Sequence, residues 1–191
     1  MFDTLFHSIQ SIDEAILLWI QNNLQTDFLS PFVTAFTNLG NAGKIWIFLG
    51  ILLLFFPKTR RIGFYTLTAL LFSLIITNLT LKPMIDRPRP YVTIDALAPL
   101  VISGDPNSFP SGHTSAAFAA GIAWFMVIAN PWIRGLALAQ AFLMGLSRLY
   151  VCVHYPTDVL IGALAGTIAA LLAVLLLRTI EHRKSKQQLL Q

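Results

Sequence analysis

Three short blocks of polar side chains interrupt an otherwise apolar chain, at residues 82–90, 110–113 and 147–158. Positive charges beside apolar segments are costly near a membrane, so their number here needs an explanation. Arginine and lysine bind phosphate oxygens, and histidine with aspartate can attack or protonate a phosphoryl group. We therefore expect the blocks to converge on a phosphate. The candidate residues are Lys82, Arg87, Arg89, Ser111, Gly112, His113, Ser147, Arg148, His154 and Asp158.

The first block places two cations on a stiff stretch of backbone. Six residues separate Lys82 from Arg89, and prolines restrict the backbone within and after this interval. We expect an extended bend that aims both side chains at one point, where the guanidinium and the ammonium suit phosphate oxygens. A simple basic flank of a membrane span is the alternative. Arg87 could pair with Asp86 or Asp95, and we favour a supporting role for it.

The second block combines a helix cap with a histidine. Ser111 can cap the apolar helix that follows, and Gly112 lets the backbone approach a ligand closely. Free N–H groups at a helix N-terminus, together with the helix dipole, form a site for an anion. His113 lies in the first turn and is expected to face the same point. Considered alone, the block could also be an ordinary capped helix with an incidental histidine.

The third block is the most specific of the three. Arg148 ends one predicted helix, and His154 and Asp158 flank a proline at the start of the next. A separation of four residues lets Asp158 reach His154. A carboxylate that holds one ring N–H of a histidine fixes the tautomer and leaves the other nitrogen as a nucleophile or a base. The alternative for Asp158 is a purely structural role at the positive end of the helix dipole.

Two histidines and an aspartate could also suggest a metal site. However, Lys82, Arg89 and Arg148 would repel a divalent cation, whereas they would neutralise a phosphate. We therefore expect neither a metal nor another cofactor.

The composition is that of a membrane protein. Of the 191 residues, 55% are hydrophobic and only 12% are charged, and the mean hydropathy is +0.68. Soluble domains carry about 25% charged residues. We expect one membrane-embedded domain over residues 1–191, with no separate soluble module. The single cysteine, Cys152, cannot form a disulfide within the chain and is expected to be a small buried side chain.

The hydropathy pattern predicts an all-α integral membrane bundle of about six helices. A spanning helix needs about 20 mostly apolar residues, and five clear candidates lie at 43–56, 62–81, 114–129, 132–151 and 159–177. The N-terminal helical region, 1–40, supplies the sixth. There, Asp13 and Glu14 lie beside an apolar face, which favours a helix at the membrane interface. The spacing of Gly162 and Gly166 predicts close helix packing.

Lysine and arginine indicate the orientation, because they concentrate on the cytoplasmic side of membrane proteins. If successive spans cross the membrane in alternating directions, one side holds residues 58–61, Arg134 and the basic tail, which includes 179–191. We expect this side to be cytoplasmic. The three polar blocks then share the extracytoplasmic face of a multi-pass protein of the cytoplasmic membrane. With the positive charge placed in this way, we expect membrane lipids as partners and no nucleic acid.

The segment 90–110 is the only long connection between the predicted spans. A loop of this length in a compact protein is often a functional lid. Because it mixes apolar residues with glycine, aspartate and proline, a hairpin lying on the membrane surface is an equally good interpretation.

The three blocks resemble the type 2 phosphatidic acid phosphatase family, whose fold is shared with glucose-6-phosphatase and the vanadium haloperoxidases. The family pattern is Lys-x6-Arg-Pro, Pro-Ser-Gly-His and Ser-Arg-x5-His-x3-Asp. The chain matches every block without a departure, in the same order, over residues 82–158.

The resemblance implies a role for each matched position. His154 would attack phosphorus and form a phosphohistidine, Asp158 would orient it, and His113 would protonate the leaving oxygen. Ser147 would support the residues around the phosphate. The groups that would hold the phosphoryl oxygens are Lys82, Arg89, Ser111, the backbone N–H of Gly112, and Arg148.

A site at the boundary between membrane and water on the extracytoplasmic side favours a lipid phosphate, because the lipid tail can stay in the bilayer. Bacterial members of the family act on undecaprenyl diphosphate, phosphatidylglycerophosphate, phosphatidate or lipid A phosphates. We place undecaprenyl diphosphate first, although some dedicated enzymes carry Asp where this chain has Gly112. The spans argue against a haloperoxidase, and an anionic-lipid flippase would not need a His–Asp pair beside a second histidine. The sequence leaves the oligomeric state open.

Overall fold

The computed structural model describes residues 2–189, which are 78% helical and contain no strand. The all-α prediction is therefore confirmed. The helices are α1 (Phe2–Asn23), α2 (Leu29–Leu39), a 3-10 turn (Asn41–Gly43), α3 (Lys44–Leu54), α4 (Arg60–Ser73), a π-helical segment (Leu74–Leu81), α5 (Lys82–Ile85), α6 (Pro90–Thr93), α7 (Gly112–Val127), α8 (Pro131–Tyr150) and α9 (Pro156–Leu189).

Helix α7 is the central element and packs against α4, α8 and α9. Its inward positions are small, so that Ala119 and Ala123 are buried in one cluster with Ala169 and Ala173 of α9. Small side chains let helix backbones approach closely, which is how helices associate in lipid. The first turn of α7 therefore lies among the ends of its neighbours.

Two glycines of α9 bring this helix into direct contact with α7. A Cβ added at Gly166 would lie 2.2 Å from the carbonyl oxygen of Ser115, and one added at Gly162 would lie 2.6 Å from that of Ser111. The predicted close packing is confirmed. At Gly162 it presses α9 against Ser111, two residues before His113.

We expect Gly166→Ala to lower the free energy of unfolding by about 1–3 kcal/mol, because the new methyl group must push α7 away. Thermal unfolding of the purified protein in detergent measures the effect. Gly135→Ala is the matched control, since a Cβ there meets nothing within 4 Å and alanine favours the helix by about 1 kcal/mol. Equal changes in stability for the two variants would contradict the tight contact at Gly166.

Two stretches among residues 2–189 are long and apolar enough to cross a membrane, Arg60–Ile85 and Pro156–Gln188. Helices α2 and α3 meet at 47° and make a third span if the pair crosses as one unit. This is fewer than the five spans expected. Helix α7 has only 16 residues, which at about 1.5 Å each is shorter than a hydrocarbon core of about 30 Å. The number of spans stays a prediction.

The outer surface of the bundle is apolar. Phe48 on α3, Leu136 on α8, and Leu160 and Leu175 on α9 are all exposed. Soluble monomers rarely expose such continuous apolar surface. These helices are therefore suited to contact with lipid.

A second group of basic residues lies at the end of the bundle away from the three polar blocks. At this end Arg61 pairs with Glu181 at 2.7 Å, Arg178 donates to the carbonyl of Met126, and Arg134 stacks on a nearby ring. The basic residues around 60, 134 and 178 thus lie together, as the alternation of helices predicts. The three polar blocks lie at the opposite end.

Helix α1 differs from the expected interfacial helix in one respect. Asp13 does not lie on a solvated face, because it is 1% exposed and points into the bundle beside Leu17, while Ile12 and Ile16 are exposed. That part of the prediction was wrong. The partners that make its burial favourable lie about 75 to 145 positions away in the sequence, and local periodicity does not reveal them.

Candidate active site

A cavity of about 680 Å³ lies at the end of the bundle where α5 and α8 end and where α7 and α9 begin. All three polar blocks contribute to its wall. Lys82 and Arg89 come from the first block, His113 from the second, and Arg148 and His154 from the third. The structure therefore brings together the side chains that the sequence places on one phosphate, and their individual roles stay predictions.

His154 follows α8 on a short turn and is 1% exposed. Its Nδ1 lies 3.6 Å from Oδ2 of Asp158, and this buried nitrogen has no hydrogen-bond partner in the part of the chain that is described. Its Nε2 lies 3.0 Å from Nη1 of Arg89. Because a guanidinium can only donate, Nε2 is the acceptor and the ring proton is on Nδ1, facing Asp158. This tautomer leaves Nε2 with the lone pair that a nucleophile needs.

The surroundings of His154 keep its imidazole neutral. Burial, reinforced by the positive charges of Arg89, Arg148 and Lys82, lowers the pKa of His154 well below its usual value. Only the neutral ring can attack phosphorus. The cations that are placed to bind a phosphate therefore also hold the predicted nucleophile in its reactive form.

Asp158 combines the two roles considered for it. Its Oδ2 accepts the backbone N–H of Tyr155 at 2.9 Å, at the start of α9, and faces Nδ1 of His154. Its Oδ1 accepts from Nη1 of Arg87 at 2.7 Å. One fully buried carboxylate thus caps the helix and lies beside the histidine. Contacts of this kind often tighten only when substrate binds.

Arg87 pairs with neither Asp86 nor Asp95, so the partners predicted for it were wrong. Its Nη1 bonds to Asp158 at 2.7 Å and its Nη2 bonds to Asp13 at 2.9 Å. Neighbouring acids in the sequence were the obvious partners, but the turn at Asp86 adopts a left-handed conformation, with φ of 48°. Arg87 itself points into the bundle, behind His154.

Asp105, in the 90–110 loop, engages both cations of the first block. Lys82 Nζ donates to its Oδ2 at 2.5 Å, and Arg89 Nε donates to its backbone carbonyl at 3.0 Å. Burial raises the pKa of the Asp105 carboxyl, but hydrogen bonds from Lys82 and from the N–H of Asn107 outweigh burial and lower the pKa overall. An ionised carboxylate therefore binds Lys82 where a phosphate oxygen is expected, which indicates that the site suits an anion.

Arg148 adds a third cation to this site, beside Lys82 and Arg89. It is 3% exposed, and its Nη1 donates to the hydroxyl of Thr37 at 2.6 Å. Ser147 lies 3.0 Å from the same hydroxyl. The Nε of Arg148 is buried and has no partner within residues 2–189. An unpaired buried donor is costly, so Arg148 is well placed to bind an anion in the cavity.

The second block forms the start of α7. The side chain of Ser111 accepts the backbone N–H of Thr114, which confirms the predicted cap, and Gly112 and His113 line the cavity. His113 Nε2 lies 2.9 Å from Oδ1 of Asn41. Ser111 itself is fully buried. Its direct contact with phosphate stays a prediction, whereas Gly112 presents backbone to the cavity.

The 90–110 loop folds back onto the bundle. Leu97 is buried in a cluster with Leu17 and Tyr155, and the N–H of Ala98 donates to Gln21 at 2.7 Å. Farther along, Ser103 accepts from Arg89 at 2.9 Å. This second half of the loop forms one wall of the cavity. The loop thus covers the site, and movement as a lid stays a prediction.

The acidic and histidine side chains of the site are not arranged as a metal centre. Within the described residues, no three histidine, cysteine, aspartate or glutamate side chains are grouped so that they could hold a metal ion. Their neighbours are the cations Lys82, Arg89 and Arg148, which favour an anion.

Sequence reasoning missed the contribution of four residues, Asp13, Thr37, Asn41 and Asp105. A signal existed for two of them. Asn41 lies in a glycine- and asparagine-rich break between apolar segments, which is the kind of irregular backbone that lines a cavity. Asp13 is an acid within an apolar helix, which is itself a reason to suspect function.

One side of the cavity is apolar and reaches the outside of the bundle. Ile47 of α3 and Leu67, Leu71 and Leu74 near α4 line it. Three of them, Ile47, Leu71 and Leu74, are also exposed on the outer surface. The polar end of the cavity is therefore continuous with a surface suited to lipid.

Comparison with known proteins places the chain in a family. The model described as "PAP2 superfamily" matches residues 62–181. Undecaprenyl-diphosphatase of Sulfolobus acidocaldarius is 29% identical over 145 residues, which are 76% of this chain and 69% of that protein. Lipid A 4'-phosphatase of Bacteroides thetaiotaomicron is 29% identical over 171 residues, 83% of this chain and 73% of that protein. The crystal structure of a transmembrane PAP2 type phosphatidylglycerolphosphate phosphatase from Bacillus subtilis superposes with a TM-score of 0.74 at 29% identity, covering 91% of this chain and 88% of that one.

Proposed function

The chain belongs to the PAP2 superfamily, and on this premise we propose that it removes the terminal phosphate of a membrane lipid without a metal, through a phosphohistidine on His154. The family and the apolar helices make it a multi-pass membrane phosphatase that acts on lipid phosphates. The individual substrate, the intermediate and the side of the membrane belong to the proposal.

The observation that carries the proposal is the placement of His154. Its Nε2 faces the cavity beside Arg89, and its Nδ1 faces the carboxylate of Asp158. A general base or a structural histidine would not need three cations around it. A nucleophile that attacks a phosphate needs them, because they neutralise the charge of the group under attack.

In the first step Nε2 of His154 attacks phosphorus, and the bond from phosphorus to the leaving oxygen breaks. In the structure Nη1 of Arg89 donates a hydrogen bond to Nε2 of His154. When phosphate binds, one of its oxygens accepts that hydrogen bond instead, and the lone pair of Nε2 becomes free. The Nδ1 proton stays on the ring, where Asp158 stabilises the positive charge that develops. A bound phosphate brings negative charge beside His113 on the cavity wall, which favours uptake of a proton by its ring. The protonated ring then gives the leaving oxygen its proton.

In the second step water attacks the phosphohistidine, the N–P bond breaks, and inorganic phosphate leaves. His113, now without its proton, accepts one from the attacking water, so both histidines return to their starting states. Splitting the hydrolysis in this way replaces one difficult step by two easier ones. Lys82, Arg89 and Arg148 hold the phosphoryl oxygens in both.

The apolar side of the cavity supports a lipid substrate. A phosphate at Arg89 leaves its tail to run along Leu71 and Leu74, which are exposed on the outside of the bundle. We rank undecaprenyl diphosphate first, followed by phosphatidylglycerophosphate or phosphatidate and then lipid A phosphates. We place undecaprenyl diphosphate first because an outward-facing site suits recycling of the undecaprenyl carrier.

The extracytoplasmic location of the site follows from charge. The basic end of the bundle, around Arg61 and Arg178, lies opposite the cavity. Since basic residues flank spans on the cytoplasmic side, the cavity opens outward in the cytoplasmic membrane.

The test is phosphate release by the purified protein in detergent with EDTA. The substrates are undecaprenyl diphosphate, phosphatidylglycerophosphate, phosphatidate, lipid A and glucose 6-phosphate, and His154→Ala gives the background. We expect release from at least one lipid, none from the sugar, and none with the variant. Release that requires an added divalent metal, or release from glucose 6-phosphate alone, would overturn the proposal.

A further inference from the structure

We propose that Asp13 of the N-terminal helix is a positioning residue that acts through Arg87 on the Asp158–His154 pair. The inference rests on the proposed function, because it assigns Asp13 to the reaction at His154. It gives helix α1, which lies outside the matched family region of residues 62–181, a part in catalysis.

The first observation is that Asp13 is buried with charged and polar partners. It is 1% exposed, and its Oδ2 accepts from Nη2 of Arg87 at 2.9 Å. Oδ1 accepts the backbone N–H of Thr157 at 3.1 Å, and Oδ2 also accepts the Thr157 hydroxyl. A buried carboxylate is expensive unless it is paired in this way, so the contacts define one orientation for its side chain.

The second observation is that Arg87 divides its fork between two carboxylates. Nη1 bonds to Oδ1 of Asp158 and Nη2 bonds to Asp13. Two neutral oxygens complete the shell, the Thr157 hydroxyl on Nη1 and Oε1 of Gln10 on Nη2. The guanidinium carbon also lies 3.7 Å above the ring of Tyr155, which fixes the plane of the fork. Asp158 therefore receives one of the two terminal nitrogens, and its Oδ2 accepts the N–H of Tyr155 and faces His154.

These contacts define what Asp13 does for the reaction. Without its negative charge, both ends of the Arg87 fork would be drawn to Asp158, which is the remaining carboxylate in reach, and a guanidinium binds a carboxylate best in bidentate fashion. Oδ2 would then turn from Nδ1 of His154 toward Arg87. Asp13 thus keeps Oδ2 directed at the histidine.

Asp13 also fixes the segment that carries Asp158. Thr157 lies in the first turn of α9, where free N–H groups favour an anion, and Asp13 supplies that anion from another helix. The start of α9 is thereby tied to α1 at the position next to Asp158.

The experiment compares wild type, Asp13→Asn and Asp27→Asn by steady-state kinetics in detergent, with the lipid of the panel that wild type hydrolyses fastest. Asparagine keeps the size of the side chain and can still accept from Thr157. Asp27 is the matched control, since it is exposed just beyond the same helix and its replacement removes the same charge. Thermal unfolding of each variant is measured in the same detergent.

We expect Asp13→Asn to lower kcat about 10- to 100-fold, the scale for a partner that orients a reacting group. KM should stay within about twofold, because Asp13 is behind His154 and substrate does not reach it. Asp27→Asn should match wild type. Arg87→Lys keeps the charge but loses the fork, so it should show the same selective loss of kcat, and the double variant should be no worse than the poorer single variant.

A kcat for Asp13→Asn equal to that of wild type would overturn the inference. So would multiplicative losses in the double variant, or a loss that falls on KM and thermal stability together. If Asp13→Asn cannot be purified, the kcat–KM split of Arg87→Lys decides in the same way. A wild-type protein that releases no phosphate from any lipid would instead overturn the proposed function, so the two failures are distinguishable.

Discussion

Replacing His154 with alanine is expected to lower kcat on a lipid phosphate by about 10⁴-fold or more, the scale seen when a covalent nucleophile is removed. The side chain is buried against Arg89 and Asp158. Substrate labelled in its terminal phosphate should leave acid-labile, alkali-stable label on wild type after rapid quenching, and none on His154→Ala. Turnover and trapped label both depend on formation of the N–P bond at His154.

His182→Ala is the matched control for this variant. His182 is exposed on the tail of α9, at the opposite end of the bundle from the cavity, so the substitution should leave turnover and labelling unchanged. Binding of a lipid phosphonate, which cannot be cleaved, should survive in His154→Ala, because Lys82, Arg89 and Arg148 remain. Label that persists in His154→Ala would identify another nucleophile.

The candidate site was accessible from the sequence because its parts follow local rules. Proline stiffness between Lys82 and Arg89, a capping serine before His113, and a four-residue step from His154 to Asp158 each depend on neighbouring residues only. Their convergence then follows from the alternation of helices, which sends the ends of α5 and α8 and the starts of α7 and α9 to one end of the bundle.

The residues that were missed depend on long-range contacts. Asp13 and Thr157 are 144 residues apart, and Thr37 and Arg148 are 111 apart. A helix with a charged residue on one face can place that residue in water or against another helix, and the periodicity is the same in both cases. Burial of Asp13 was therefore visible only once Arg87 and α9 were in place. The partners of Arg87 were mistaken for the same reason.

Spans were also harder to predict than helices. Length and hydropathy located the helical segments near their observed positions, but the short α7 and the bend between α2 and α3 do not meet the requirements of independent spans. A helix surrounded by other helices needs no lipid-facing surface of its own, and α7 is such a helix, because its contacts are with α4, α8 and α9.

The second large effect is expected at Arg148. We expect Arg148→Lys to lower kcat/KM about 10²- to 10³-fold, the cost of removing one donor that stabilises charge in the transition state. The charge is kept, but the planar fork is lost. In the present structure Nη1 is held by Thr37 while Nε is buried and unpaired. A lysine has its three donors on one rotatable nitrogen, so it cannot hold Thr37 with one nitrogen while a separate, fixed nitrogen faces the phosphate.

Arg134→Lys separates this effect from a general loss of guanidinium groups on α8. Arg134 lies on the same helix at the basic end of the bundle, stacked 4.2 Å from the ring centroid of Phe125, and its replacement should leave kcat/KM unchanged. Thr37→Val adds a second comparison, since it leaves Arg148 intact but removes its anchor. If Arg148 acts through a fixed geometry, Thr37→Val should lower kcat/KM in the same direction and by less. If charge alone matters, Arg148→Lys and Thr37→Val should both retain wild-type activity, and the phosphate would be held by Lys82 and Arg89 without a third fixed donor.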